Sequence, residues 1–400
     1  MLFHLLEWLQ VRGVLPINLF QYVTFRAAVA LVTALLISLA FGNRLVTILR
    51  ALKAGQPIRV TNQAGAPDLS QMHDGKKGTP TMGGLLIMMA TAIPALMWCD
   101  LRNPVVWLLL GSALVFGGMG FLDDYLKVVK KNHDGLSARW KMIGTLAAGA
   151  AIGWYLLKYG EASYTWTEAG ISQEAAAAIA AGRMAAETNG QPPVTGYGQL
   201  LFPFFKTWYP DLGLFFIALV MFILSASSNA VNLTDGLDGL CIGISAIVVL
   251  AFGVVAYLAS SYYYSRHLML PHVPRADEAV VVMGALLGAC LGFLWFNAHP
   301  ADMFMGDTGS FMLGGVIGTM AVVTKQEFLL GIIGGIYVLE AASVIIQVTV
   351  FKRTGRRVFQ MAPIHHHFER LGVPETKIIV RFWIVTALLA LAGIATLKLR

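Results

Sequence analysis

Carboxylate and amide side chains recur in three short segments that separate long apolar stretches. These segments contain the adjacent Asp123 and Asp124 in FLDDYLK, the polar run NAVNLTDGLDGL (229–240), and Asp307 in MGDTGS. Carboxylate oxygens suit Mg²⁺, which commonly bridges one or two protein carboxylates and substrate phosphates. An aspartate followed by small hydroxyl residues at a helix N-terminus can hold such an ion while backbone N–H groups face phosphate. These segments predict a magnesium-assisted reaction of a polyphosphate.

The second segment carries four carboxylate or amide side chains within ten residues and no basic residue: Asn229, Asn232, Asp235 and Asp238. Asp235 and Asp238 are three residues apart, so a helical turn would present both on one side. Such a group fits a hard cation or a substrate hydrogen-bond donor such as an amide or imide. An ordinary helix N-cap is the simpler alternative here, as it is for Asp307.

Basic residues follow the first acidic pair. On a continuous helix Lys127 shares a face with Asp123, and an ordinary helix-end charge pair is the alternative interpretation. Further donors suited to phosphate oxygens are Lys130, Lys131, Arg139 and Lys141. The segment HDGKKGTPTMGG, with Lys76 and Thr81, is a weaker candidate for an anion cradle, since it lacks the P-loop pattern.

Three consecutive histidines, His365, His366 and His367, occur in APIHHHFE. A helix would spread the three rings around its axis, so they could not all bind one ion. Recognition of phosphate or sugar by one or two of them fits better, and solvated histidines are the alternative. Asn297 and Phe304 could supply a contact and a stacking face for a nucleotide base.

The composition indicates which elements must position these residues. Of 400 residues, 57% are hydrophobic and only 13% are charged, which excludes an ordinary soluble surface. Apolar stretches of about 20 residues predict membrane-spanning helices. Ten are found, at 21–42, 83–99, 104–122, 142–157, 212–231, 239–262, 279–296, 308–324, 328–351 and 380–397. We therefore predict an all-α, polytopic integral membrane protein with a single domain over residues 1–400.

The distribution of charge predicts the orientation. The loops after the odd-numbered spans, which carry all the polar clusters, contain 17 Lys and Arg residues against ten on the other side. The positive-inside rule places these loops in the cytoplasm and both termini on the periplasmic side. A long loop at about 159–211 then lies outside, and its alanine-rich segment 172–187 predicts a short surface helix.

Two features within the spans carry their own predictions. Glycines recur at four-residue spacing, at Gly284, Gly288 and Gly292 and again at Gly314 and Gly318, which predicts close helix packing. Glu340 lies inside the ninth span and must face the bundle interior or water, because a charge at the bilayer centre costs about 2.5–3.5 kcal/mol. Glu340 could form a structural pair with another buried group, or it could belong to the functional site; the sequence leaves both interpretations open.

Other classes of protein fit less well. The net charge of +7 comes from short loops and so indicates topology, with no nucleic-acid partner. The three cysteines have no zinc-site spacing, and the N-terminus lacks the basic region and cleavage site of a signal peptide, so uncleaved insertion is expected. An ion-coupled transporter would place its binding groups near the membrane midplane. A structural scaffold leaves the one-sided clusters unexplained.

The motifs LDDYLK (122–127), NLTDGLDGL (232–240) and MGDTGS (305–310) resemble the polyprenyl-phosphate N-acetylhexosamine-1-phosphate transferases. The segments GTPTMGG (78–84) and APIHHHFE (362–369) resemble the branch that uses muramoyl-pentapeptide, rather than the sister branch that uses UDP-N-acetylglucosamine. The resemblance covers nearly the whole chain, although the 159–211 loop departs from the more compact family pattern.

The resemblance implies transfer of phospho-MurNAc-pentapeptide from UDP-MurNAc-pentapeptide to undecaprenyl phosphate, which gives lipid I and UMP in peptidoglycan synthesis. It also implies Mg²⁺ as cofactor, a multi-pass protein of the bacterial inner membrane with its active site on the cytoplasmic face, and a homodimer. We expect Lys127 and Lys131 to hold the lipid phosphate. Direct attack by the lipid phosphate and a covalent acyl-phosphate intermediate are both open.

The resemblance also implies roles for individual residues. Asp307 resembles the Mg²⁺ ligand, and Asp123 and Asp124 resemble the catalytic acidic pair. The uridine-recognition set is matched by Asn232, Asp235, Asn297, Phe304 and Gln347. The contacts to diphosphate or sugar are matched by Lys76, Thr81 and His366.

Overall fold

The computed structural model describes residues 1–13, 18–52, 78–128, 130, 135–160, 162–164, 194–202 and 210–398. Three sequence predictions fall outside these residues: the surface helix at 172–187 and the site roles of Lys76 and Lys131. Every structural statement below refers to the described part of the chain.

Helices form the framework in the first half of the chain. They are α1 (Leu2–Val11), α2 (Val23–Ala51), α3 (Gly84–Trp98), α4 (Pro104–Val128) and α5 (Ala138–Tyr159). After α5, the two-residue strands β1 (Ser163–Tyr164) and β2 (Val194–Thr195) pair in antiparallel fashion. This short ribbon joins the two ends of the long loop.

The second half is also helical. Its helices are α6 (Phe215–Thr234), α7 (Leu240–Ser260), α8 (Tyr262–Leu268), α9 (Asp277–Asn297), α10 (Gly306–Val323), α11 (Glu327–Ile333), α12 (Gly335–Thr354), α13 (Ile364–Arg370) and α14 (Glu375–Thr396). Two single 3₁₀ turns, Leu19–Gln21 and Pro274–Ala276, precede α2 and α9.

The predicted fold class is confirmed. Eight of the described helices are long and apolar enough to cross a membrane, and α3 is a shorter apolar helix. Each of the ten predicted spans coincides with helix, but the ninth is divided at Gly334 into α11 and α12. The number of crossings and the side of the termini stay predictions.

Helix α10 is the central element of the bundle, enclosed by α3, α4 and α6. Every one of its residues is buried except Asp307, in its first turn. A helix that is apolar on all sides is stable only in such a position. The single polar exception therefore marks the end of the bundle where chemistry can take place.

The predicted glycine seams are confirmed. A Cβ on Gly284 would lie 2.5 Å from the carbonyl oxygen of Ala27, and one on Gly288 would lie 2.1 Å from that of Leu31, so α9 packs backbone to backbone on α2. Gly314 of α10 does the same against the backbone of Ser227 and Ser228 of α6, and Gly318 makes room for the Ser227 hydroxyl. Small residues allow this approach where lipid provides no hydrophobic drive for association.

Two buried cations stabilise the end of the bundle opposite Asp307. Arg26 of α2 binds Glu278 of α9 through two contacts, of 2.8 and 2.7 Å. Lys325, just after α10, donates to the carbonyl of Tyr197 at 2.9 Å and lies 3.2 Å from Glu327. Burial lowers the pKa of Lys325, and the Glu327 carboxylate opposes that shift. The Lys325 contact attaches the segment before α6 to the end of α10, and the Arg26 contact joins α2 to α9.

Replacing Gly288 by alanine should lower the apparent melting temperature of the detergent-solubilised protein. The new Cβ would meet the Leu31 carbonyl, and such overpacking typically costs about 1–3 kcal/mol. The matched control is Gly111→Ala in α4, where an added Cβ has no atom within 4 Å. Equal melting temperatures for the two variants would contradict the seam.

Candidate active site

The site is built around the first turn of α10, which two neighbouring helices approach very closely. A Cβ on Gly84 of α3 would lie 2.1 Å from the backbone nitrogen of Gly309, and one on Gly120 of α4 would lie 2.1 Å from the carbonyl oxygen of Asp307. Gly306 itself has a φ of 74°, a region that favours glycine. Glycines therefore let three helices converge on Asp307.

Asp124, near the end of α4, caps this helix terminus. Its carboxylate accepts hydrogen bonds from the backbone N–H groups of Asp307 at 3.1 Å and Thr308 at 2.9 Å, and from the Thr308 hydroxyl at 2.6 Å. Unpaired N–H groups and the partial positive charge at a helix N-terminus both favour a carboxylate. Both oxygens of Asp124 are thus occupied in holding α10 on α4.

Asp123 points instead towards two lysines that it shares with Asp307. The Lys127 ammonium contacts the Asp123 carboxylate and lies 3.2 Å from Asp307 Oδ2. The Lys141 ammonium lies 2.7 Å from Asp307 Oδ2 and 3.1 Å from Asp123 Oδ1. Asp123 also accepts from the backbone N–H of Leu136 at 2.6 Å. Two carboxylates and two ammonium groups therefore alternate around one small space.

The three aspartates form a donor set that fits a hard divalent cation. One ligand oxygen from each of Asp123, Asp124 and Asp307 lies within 4.8 Å of the others. The Thr81 hydroxyl is buried beside them without a hydrogen-bond partner among the described residues. Oxygen donors of this kind suit Mg²⁺. The two lysines neutralise these carboxylates, so a bound ion would share the oxygens with them.

Asn232 joins the second polar segment to this centre. Its amide donates to Asp307 Oδ1 at 3.0 Å and to the Ser310 hydroxyl at 2.9 Å. Asp235 follows directly after α6, and burial, reinforced by the negative charge of Asp307, raises its pKa well above the ordinary value. Asn229, one turn earlier, is bonded to the Ser225 carbonyl of its own helix at 2.8 Å.

Asp238 belongs to a neighbouring cluster rather than to the Asp307 centre. Its carboxylate lies 3.2 Å from His299 Nδ1 and accepts from the Ala301 N–H at 3.3 Å, while its own N–H donates to Glu375 at 3.0 Å. Asp238, His299 and Glu375 also have ligand atoms within 4.8 Å of one another. Their contacts link the loops after α6 and α9 to the start of α14.

The other predicted base-recognition residues lie on three different elements: Asn297 ends α9, Phe304 lies in the loop before α10, and Gln347 lies in α12. The Asn297 side chain accepts from the Gly239 N–H at 3.0 Å and donates to the Met303 carbonyl at 2.9 Å. Phe304 pairs through its backbone with Pro80 and Gly83, and its ring is half-buried. Gln347 accepts from the N–H groups of Val358 and Phe359, at 3.1 and 2.9 Å. Their role in base binding stays a prediction.

The three histidines lie on the short helix α13, and each has a different partner, as a helical arrangement requires. His365 is fully buried and lies 3.1 Å from Glu340. His366 contacts Glu369, with 2.5 Å between Nδ1 and Oε2. His367 accepts from the Gln360 N–H at 3.2 Å. Among these residues no common ligand position exists for a single ion.

Sequence reasoning did not assign Lys141, His299 or Glu375 to the site. Lys141 appeared only as a general phosphate donor, because a loop separates it from the acidic pair and hides their proximity. His299 lies in FNAHPADMF, two residues after Asn297, and this neighbourhood could have identified it. Nothing in the sequence marks Glu375 as a site residue, since an acidic residue in the first turn of a helix is common.

Comparisons with known proteins agree with this geometry. A family model described as glycosyl transferase family 4 matches residues 106–325, which include all three acidic segments. A second model, described as phospho-N-acetylmuramoyl-pentapeptide-transferase signature 1, matches residues 76–88. The second match contains the GTPTMGG segment.

Curated relatives match over the full length. A phospho-N-acetylmuramoyl-pentapeptide-transferase of Citrifermentans bemidjiense is 46% identical over 383 residues, which is 96% of both chains. The protein of the same name from Geobacter sp. strain M21 is 46% identical over 400 residues, which is all of both chains. This chain therefore belongs to the phospho-N-acetylmuramoyl-pentapeptide-transferase family.

Proposed function

We propose that this protein transfers phospho-MurNAc-pentapeptide from UDP-MurNAc-pentapeptide to undecaprenyl phosphate, forming lipid I and releasing UMP. The observation that carries the proposal is the alternation of Asp123, Asp307, Lys127 and Lys141 at one end of an apolar bundle. This arrangement offers both anionic ligands for a cation and cationic groups for phosphate. Full-length relatives bear the name of this transferase.

Asp307 and Asp123 would hold Mg²⁺, with the Thr81 hydroxyl as a further oxygen donor. When bound, the ion supplies charge neutralisation on the diphosphate and at the departing UMP oxygen. Asn232 holds Asp307 Oδ1 and so fixes the orientation of that carboxylate. Asp235, Asn297, Phe304 and Gln347 remain the proposed uridine-recognition set, and Asn229, Asp238 and His366 remain proposed contacts nearby.

Lys127 and Lys141 would bind the phosphate of the acceptor lipid, with Lys131 as a further proposed contact. The ammonium groups of Lys127 and Lys141 face the same space. An incoming phosphate can therefore replace Asp123 and Asp307 as the partner of these two groups. Ammonium groups reduce the repulsion between the two anionic substrates. The second pKa of a phosphate monoester is about 6, so the acceptor is mostly dianionic at neutral pH. A strong general base is therefore unnecessary.

We favour direct in-line attack of the lipid phosphate on the β-phosphate of the UDP-sugar. Both oxygens of Asp124 are bonded to the first turn of α10, which makes this residue a holder of the site rather than a nucleophile. A covalent intermediate on the acidic pair would therefore have to form on Asp123. In direct attack, Asp123 instead orients Lys127 and Lys141.

The site is proposed to face the cytoplasm, with both termini in the periplasm. The N-terminal ammonium donates to the Leu96 carbonyl, at the end of α3 opposite Thr81. Helix α14 begins near Asp238 and ends with the chain at the other side. Both observations support termini that lie on the face opposite the site. The proposal includes a homodimer, which the measured mass in detergent would test.

The function is tested by transfer of radiolabel from UDP-MurNAc-pentapeptide into an organic-extractable lipid, with and without Mg²⁺. Asp307→Asn should reduce this transfer by at least about 100-fold, the scale found when one charge-stabilising group is lost from an active site. Asp302→Asn is the matched control, because Asp302 is exposed in the preceding loop. Near-normal transfer by Asp307→Asn would refute the assignment, and transfer from UDP-N-acetylglucosamine would identify the sister activity.

Lys127→Ala should raise the KM for undecaprenyl phosphate more than the KM for the UDP-sugar. The lost ammonium group contacts the proposed position of the acceptor phosphate, and it also offsets Asp123 and Asp307. Steady-state kinetics with each substrate varied in turn would measure the effect. Lys377→Ala, at an exposed position in the first turn of α14, is the control. An unchanged requirement for lipid would contradict the role of Lys127.

Direct attack predicts no UMP release when enzyme and UDP-MurNAc-pentapeptide are mixed without the lipid. A covalent mechanism requires a burst of UMP equal to the enzyme concentration and a phosphorylated protein. Rapid-quench measurement of UMP, with intact-protein mass analysis, separates the two cases. A stoichiometric burst that disappears in Asp123→Asn would overturn direct attack.

A further inference from the structure

Glu340 of α12 and His365 of α13 form an ionisable pair in the interior of the bundle. Neither side chain has any exposed surface, and His365 Nδ1 lies 3.1 Å from Glu340 Oε1. The prediction that Glu340 faces the interior is thereby confirmed. The pair lies where the ninth apolar segment meets the histidine-containing helix, which is otherwise a short element of seven residues.

The imidazole of His365 supports the turn that ends α6. A Cβ on Gly236 would lie 2.2 Å from His365 Nε2 and 2.8 Å from Cε1, so the ring packs directly on the Gly236 backbone. Gly236 follows Asp235, and its N–H is bonded to the Thr234 carbonyl at 2.9 Å. The turn beside the ring directly follows α6, and Asn232 in the last turn of α6 is bonded to Asp307.

Stability alone does not account for the burial of Glu340 and His365, so we look for a role in positioning. Neither carboxylate oxygen of Glu340 and neither ring nitrogen of His365 has an aligned hydrogen bond among the described residues. A buried ion pair generally adds little stability compared with apolar residues of the same volume, but loss of one partner is strongly destabilising. Oε1 of Glu340 approaches one ring nitrogen at 3.1 Å and the Gly236 backbone packs against the other, so the ring is held between the two.

We propose that Glu340 and His365 position the Asp235–Gly236 turn for binding of the UDP-sugar, an inference that rests on the proposed function. Glu340 orients the imidazole, the imidazole supports the Gly236 backbone, and the turn holds Asp235 beside the Asp307 centre. The complete burial of His365 leaves it no surface for the substrate. It is a positioning residue, in place of the substrate contact that the sequence predicts.

Glu340→Gln tests the proposal, since it preserves the volume of the side chain and removes its charge. We expect the KM for UDP-MurNAc-pentapeptide to rise about 10-fold, the lower end of the effect of losing a supporting partner. The KM for undecaprenyl phosphate should stay within about 2-fold, because the lysine contacts are untouched. Hydrogen exchange of the peptide covering residues 232–240 should become faster in the variant.

Gly236→Ala tests the same contact from the other side while keeping both ionisable groups. Its Cβ would displace either the turn or the ring, so the same selective rise in the KM for the UDP-sugar is expected. The variant also keeps the test decisive if Glu340→Gln does not fold. In the double variant Glu340→Gln/His365→Gln, the KM for the UDP-sugar should rise about as much as in Glu340→Gln alone. The effects of substituting two residues that act as a unit do not add.

Glu278→Gln is the matched control, because Glu278 is also a buried carboxylate paired with a buried cation. It lies in the first turn of α9, at the end opposite Asn297 and about 30 Å away by helix length. This control should lose stability, because it breaks a buried pair, but both KM values should stay unchanged. Equal KM values for wild type, Glu340→Gln and Gly236→Ala would overturn the positioning role. An inactive wild type would instead refute the proposed function.

Discussion

The hydrogen bonds that Asp124 accepts from the first turn of α10 are the contact on which the rest of the site depends. In the apolar interior, the free N–H groups of a helix end and a buried carboxylate each need a partner, and here each satisfies the other. The bond joins α4 to α10 and leaves Asp307 as the one residue of α10 that is not buried. Because neighbouring residues on a helix point in directions about 100° apart, Asp123 is then directed away from this cap and towards the lysines.

Charge balance explains the next layer of contacts. Asp123 and Asp307 lie close together, and their repulsion is relieved by Lys127 and Lys141, which bridge them. In the proposed function, a cation takes over the carboxylates of this network while phosphate takes over the ammonium groups. The surrounding helices bury Asp123 completely, and low-dielectric surroundings strengthen such interactions.

The second polar segment shows how one stretch of sequence can serve two purposes. Asn232 bonds to Asp307, whereas Asp238, six residues later, is bonded within the loop cluster of His299 and Glu375. The first contact orients the centre, and the second links two loops beside it to the start of α14. The glycine between Asp235 and Leu237 is required because the His365 ring occupies the space of a side chain.

Sequence by itself determined the all-α membrane fold, the glycine seams and the acidic segments, because apolar length and small-residue spacing act locally along a helix. It also predicted that Asp123, Asp124, Asp235, Asp238 and Asp307 converge in one pocket, since their loops share one end of the bundle. The first two do meet Asp307, but Asp238 lies in the neighbouring cluster with His299 and Glu375. Only the tertiary structure distinguished Asp124 from Asp123, joined Lys141 to Asp307 and buried His365 under Gly236. These outcomes depend on the rotation and the spacing of packed helices, and the linear order of residues does not specify which side chains then meet.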